Sequence, residues 1–162
     1  MAGVNLIENT KAFRRARESA KRAIALDPNL AAGYMAMGMV QINHDWDWDG
    51  AEASFGKAGQ LEPGSADLLG HRAHLTRTLG RVDEAIELYK QAIALDPLRA
   101  NFHLALGYEL YFVGRYEEAQ AALQRAQELN PQLSSLHPDS WQDFILGTAS
   151  AGGSGRDGER NR

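Results

Sequence analysis

Ala92-Ile93-Ala94-Leu95-Asp96-Pro97 closes a phrase that this 162-residue chain contains four times. Its counterparts end at Pro28, Pro63 and Pro131, so successive prolines stand 35, 34 and 34 residues apart, each two places after a leucine (Leu26, Leu61, Leu95, Leu129). A fixed period of this size marks one small supersecondary unit copied and stacked. Working outward from the prolines, one column is alanine in all four copies (Ala16, Ala51, Ala85, Ala119), and so is another seven places on (Ala23, Ala58, Ala92, Ala126). Between them lie Ala20, Phe55, Tyr89 and Leu123, and in the first half of the three full copies Gly38, Ala73 and Gly107 form a small-residue column.

The spacing predicts two antiparallel helices per unit. Residues four and three apart share one helical face, and alanines there let a second helix approach at the short end of the ~8–10 Å interaxial range. The small residue of the first helix is the matching hollow. Gly80 and Gly114 fall between the helices, where a positive φ ends the first of them, and each proline stops the second. Helices are expected near 12–24, 31–43, 50–61, 66–79, 83–95, 100–113 and 117–129.

This pattern resembles the tetratricopeptide repeat, most fully over residues 66–131, where Leu106-Gly107, Gly114, Tyr116, Ala119, Leu123, Ala126 and Pro131 occupy the family's signature positions. The resemblance implies an all-α, right-handed α-solenoid of stacked helix pairs. It divides the chain into an N-terminal half repeat (1–30), three repeats (31–63, 66–97, 100–131), a C-terminal capping helix (132–147) and a flexible tail (148–162). In the last helix, Trp141, Phe144 and Ile145 make an apolar face over 139–146 with Ser140 as N-cap.

Departures are informative. Repeat two carries one extra residue between its helices, and Asn43-His44-Asp45-Trp46-Asp47-Trp48 stands where the turn glycine would be. Trp48 then falls in the column of Phe13, Val82 and Tyr116 and is expected to pack, with Asp49 capping a helix that begins near Gly50. The Asp45-Trp46-Asp47-Trp48-Asp49-Gly50 run has the opening spacing of a calcium loop, but the twelfth place is Gly56 rather than a bidentate glutamate. In repeat three, Arg72 replaces the usual leucine. Residues 2–9 are too short and weakly patterned for a normal partner helix.

Chemistry is poorly represented. No cysteine is present, His71 and His74 lack a third metal ligand, and no nucleophile sits in a recognisable motif, so no enzyme, cofactor or metal is expected. The net charge of −4 and the absence of a face-long basic stripe argue against nucleic acid. No apolar run approaches membrane-spanning length, and neither a leader nor a membrane is expected, which suggests a cytoplasmic module.

What the resemblance implies instead is a protein or peptide ligand on the concave side, lined by first-helix residues. The candidates are Met35, Met39 and Asn43, then His74 and Arg77, then Asn101, Leu104, Tyr108, Tyr111 and Phe112. Methionine and aromatic side chains suit such a surface, and the alternative for Met35, Met39 and Phe112 is packing between neighbouring repeats. The basic clamp of chaperone-tail binders is missing, since Met35 and Met39 stand at two of its positions. The alternative is a self-assembly scaffold, a homodimer formed through the incomplete ends.

Overall fold

The computed structural model describes residues 2–136, with side chains over 10–133, so the expected helix at 139–146 and the tail lie outside the described residues. The described residues form seven α-helices and no strand: α1 (Ala2–Leu26), α2 (Ala31–Val40), α3 (Trp48–Leu61), α4 (Ala66–Thr78), α5 (Val82–Leu95), α6 (Ala100–Phe112) and α7 (Tyr116–Leu129). A π-helical turn, Gln41–Asp45, follows α2, and a 3-10 segment, Pro131–Leu136, follows α7. The chain divides into two compact units, Met1–Pro97 and Leu98–Arg162.

In the first unit α2 pairs with α3 and α4 with α5, while α1 lies against α2. Its core gathers Ala31, Met35 and Ile42 from the first pair's leading helix and turn, Ala51, Phe55 and Ala58 from α3, and Leu68 and Leu75 from α4. In the second unit α6 pairs with α7, burying Phe102, Leu106 and Leu110 on one helix and Ala119, Ala122, Leu123 and Ala126 on the other. The small-residue columns perform the close approach expected of them. A Cβ on Gly107 would stand 2.6 Å from Leu123 Cγ, and one on Gly38 would meet the ring of Phe55.

Ala51, Ala85 and Ala119 are each 0% exposed. Ala16, in the same column, is exposed, because no helix among the described residues lies on that side of α1. The chain before Ala12 does not fold back to cover it. It continues the same helix to Ala2, where the sequence suggested no regular partner and a start near 12.

The regular turns close as the glycines require. Gly80 and Gly114 have φ of 79° and 80°, Arg81 N donates to Thr76 O at 3.0 Å, and Arg115 N donates to Leu110 O at 2.9 Å. This is the paired-bond ending in which a left-handed glycine satisfies the last carbonyls. Repeat two solves the same problem without glycine. Its extra residue is taken up by the π turn, a usual way to absorb one insertion, and Trp46 adopts the left-handed conformation at φ 58°.

Two expectations for this turn are corrected. Asp47, not Asp49, caps α3: its Oδ1 accepts from Gly50 N at 3.0 Å, and the helix starts at Trp48. Gln41 Nε2 reaches Asp47 Oδ2 at 3.3 Å and Ser54 Oγ donates to Gln41 Oε1 at 2.7 Å, tying the cap to α3. Trp48 is 42% exposed rather than packed. Its column is only half covered even in the regular repeats, where Val82 is half-buried and Tyr116 exposed.

Candidate partner-binding faces

In the first unit the candidate residues come from α2 with its π turn and from α4. Met35 is corrected: at 8% exposure it belongs to the core, against Phe55 and its neighbours, and is not presented to a ligand. Met39 is half-buried beside that core. Asn43, extended past α2 by the π turn, donates from Nδ2 to Met39 O at 2.9 Å, which orients its amide so that Oδ1 faces His74 Nε2 at 3.2 Å. Since an amide oxygen only accepts, the imidazole hydrogen sits on Nε2. That leaves His74 Nδ1 as an acceptor toward Arg77 Nη2 at 3.4 Å. Thr78 Oγ1 donates to His74 O at 2.8 Å.

The trio therefore selects a neutral His74. Burial lowers its pKa, and the nearby Arg77 and His71 charges lower it further. His71, whose ring stacks on Phe55 at 5.9 Å between centroids, is also lowered by burial, partly opposed by Asp67. Both histidines bind protons more readily unfolded, where the ordinary value is about 6.5, than folded. The stability they contribute is complete above that value and is lost as pH falls through it toward the depressed folded values. Melting temperature is expected to drop between about pH 7 and pH 5 in the wild type, and less so in a His71→Gln/His74→Gln variant. Parallel curves for the two proteins would remove the histidines as the cause.

In the second unit α6 carries the remaining candidates. Asn101 is exposed and Leu104 half-buried. Tyr108 is half-buried, and burial pushes its hydroxyl pKa up. Tyr111 meets Phe112 edge-on at 6.1 Å and Tyr116, from α7, at 5.4 Å. Phe112 is 73% exposed. Edge-on packing holds the Tyr111 ring between two neighbours, so the face presents rigid aromatic area at small entropic cost.

Metal and acid-base chemistry have no centre among the described residues. No group of three or more histidines or carboxylates there could hold an ion. The Asp45–Asp49 run diverges: Asp45 is ion-paired with Arg17 of α1 and contacts His44, while Asp47 is the α3 cap. Sequence reasoning missed a cavity of about 170 Å³ at α3, α4 and α5, lined by Glu52, Arg72, Thr76, Arg81 and Glu84 over an apolar floor. Arg72 in place of leucine was the signal for it. The αL Trp46, 74% exposed, was also unforeseen, and the missing turn glycine was its only trace.

Family patterns described as TPR repeat and tetratricopeptide repeat match residues 73–112 and 100–133. The last part of α4, all of α5 to α7, the alanines Ala85, Ala92, Ala119 and Ala126, and the turn glycines Gly80 and Gly114 lie on those residues, while α1 to α3 precede them. Residues 73–133 are tetratricopeptide repeats. The chain's fold is all-α, of the solenoid class that tetratricopeptide repeats build. Among solved structures it is similar to TTC0263, a thermophilic TPR protein of Thermus thermophilus, with a TM-score of 0.71 and 24% identity over 85% of this chain and 75% of that one. It is similar to MamA of MSR-1 (TM-score 0.56, 27% identity, 76% and 71% covered). A third is YrrB, described as a TPR protein with an unusual peptide-binding site (0.55, 22%, 78% and 65%).

One curated relative, small glutamine-rich tetratricopeptide repeat-containing protein 2 of Mycosarcoma maydis, is 36% identical over 85 residues, 52% of this chain. The chain spans about a quarter, 24%, of that relative's length. Tetratricopeptide repeats of the kind found at 73–133 build protein-protein interaction modules. No helix among the described residues is long and apolar enough to cross a membrane.

Proposed function

We propose that this chain is a non-catalytic cytoplasmic module that takes a peptide or protein segment on the faces of its first helices. The observation that carries the reading is the α6 face, where Phe112 stands 73% exposed beside the braced Tyr111. On the first unit, the Asn43–His74–Arg77 trio beside Met39 supports it by offering polar groups already oriented by their neighbours. Preorganised groups lose little freedom on binding.

Capture of partners followed by affinity measurement tests the proposal. Tyr108→Ala, Tyr111→Ala and Arg77→Ala are each expected to weaken a partner by about 1–2 kcal/mol or more, as interface hot spots do. Gln91→Ala, exposed on the second-helix side, should change nothing. Wild-type affinity in all three face variants would overturn the assignment. A homodimer in which the exposed Ala16 column of one copy meets a different face of the other is a second reading, and light scattering across concentration decides it.

A further inference from the structure

Three internal copies show what covers the alanine column of a second helix: a first helix lies on Ala51, Ala85 and Ala119 and leaves each 0% exposed. On α1 the same column is uncovered among the described residues. Ala12, Ala16 and Ser19 are exposed and Ala23 is half-buried, whereas Phe13, Ala20 and Ile24 turn toward α2 and its π turn. Arg17 is tied on that covered side to Asp45.

The chemistry of the open side differs from every internal copy. Between Thr10 and Leu26 there are six cations, Lys11, Arg14, Arg15, Arg17, Lys21 and Arg22, against Glu18 alone, in a chain whose net charge is −4. Helical spacing of four and seven puts Lys11, Arg15 and Arg22 in one row along the edge of the exposed small-residue face. At the place of Arg15 the internal copies carry Gly50, Glu84 and Glu118, so that cation is peculiar to α1, whereas at the place of Arg22 they carry Lys57, Gln91 and Arg125.

We propose that α1 is a docking surface for an acidic helix of a partner protein. The helix would lie where a first helix lies in the complete repeats, with a glycine or alanine opposite Ala16 and carboxylates along the Lys11–Arg15–Arg22 row. A symmetric contact between two copies through α1 is disfavoured by the same row, because an isologous interface would set these cations against each other. The face offers small side chains rather than bulky apolar ones, which suits a close helix–helix contact and not insertion into a bilayer.

The test uses the full chain and a stapled helical probe. The probe keeps the buried residues of α6, Phe102, Leu106, Gly107 and Leu110, in their spacing, with glutamate or alanine elsewhere, and a twin carries lysine in place of glutamate. The acidic probe is expected to bind, and a Lys11→Glu/Arg15→Glu/Arg22→Glu variant to bind it at least about tenfold more weakly, while the lysine twin shows the reverse preference. Because those three side chains are exposed, the variant should melt as the wild type does. Ala16→Leu should likewise leave the melt unchanged but block the probe.

Failure of the acidic probe to bind, or equal binding of both twins, overturns the proposal. So does a lowered melting temperature for Ala16→Leu, which would mean that the chain's own residues cover the face. A wild-type dimer dissolved by the charge reversal would assign the surface to a second copy and overturn it as well. Tighter binding of duplex RNA or anionic vesicles than of the acidic probe would assign it to another class of anion and also overturn the reading.

Discussion

Phe55→Ala is expected to destabilise the chain by about 3–5 kcal/mol, the usual cost of emptying a buried aromatic site. The ring is 1% exposed and is the largest fully buried side chain in α3. Gly38 exists at its position because the ring fills the place of a Cβ, and His71 of α4 stacks on it at 12°. Removing the ring leaves a void beside the Gly38 backbone that the surrounding helices fill only in part. A urea melt of both proteins at neutral pH measures the difference. Phe55→Leu should recover part of it by filling most of the volume. A loss below about 1 kcal/mol for the alanine variant would mean that the helices re-pack freely, against the near-crystalline density of protein interiors. The same variant should reach the candidate face, because α4 carries both His71 and His74. With the ring gone, His71 is less buried and its pKa returns toward the ordinary value.

The features legible in the sequence are those dictated by local geometry repeated several times. A column such as Ala51, Ala85 and Ala119 states a helix–helix distance three times over, and Gly80 and Gly114 state a backbone conformation that other residues adopt at a cost. The second repeat was harder because its turn substitutes one device for another. The π turn and the left-handed Trp46 perform the work of a glycine, and the choice of Asp47 over Asp49 as cap follows from where that turn ends. Met35 was misplaced because a methionine on a first helix suits a core and a groove equally, and only its burial in the cluster that holds Phe55, Ile42 and Leu75 decides.

The Asn43–His74 bond illustrates the other limit. Its partners lie 31 residues apart, and their meeting depends on how α2 and α4 lie side by side, a distance that no single repeat encodes. The basic row of α1 corrects the expectation that no basic stripe is present, and it was open to reading. Six cations in seventeen residues are visible without coordinates, but the four-and-seven spacing of Lys11, Arg15 and Arg22 acquires meaning only once Ala16 is seen to lack the cover that its three counterparts have.

Ala119→Leu is expected to cost about 1–3 kcal/mol, the range for forcing extra methylenes into a packed contact. Ala119 is 0% exposed, and its carbonyl oxygen lies 3.3 Å from where a Cβ of Gly107 would stand. At this level of the repeat the two helices approach closely, with Gly107 of α6 lying over Leu123 and the Ala119 backbone of α7. A leucine at 119 adds three carbons where no surface is exposed, which pushes on α6 and with it Tyr108 and Tyr111, the neighbours of Gly107 and Leu110 on the same helix. Loss of stability should thus be accompanied by weaker binding of any partner held by the α6 face, in contrast to Tyr111→Ala, which should weaken binding alone. Thermal melts and partner titrations on the two variants separate these effects. An Ala119→Leu protein that melts like the wild type would mean that α6 and α7 can part without cost, and the close-contact account of the alanine column would then fail for this repeat.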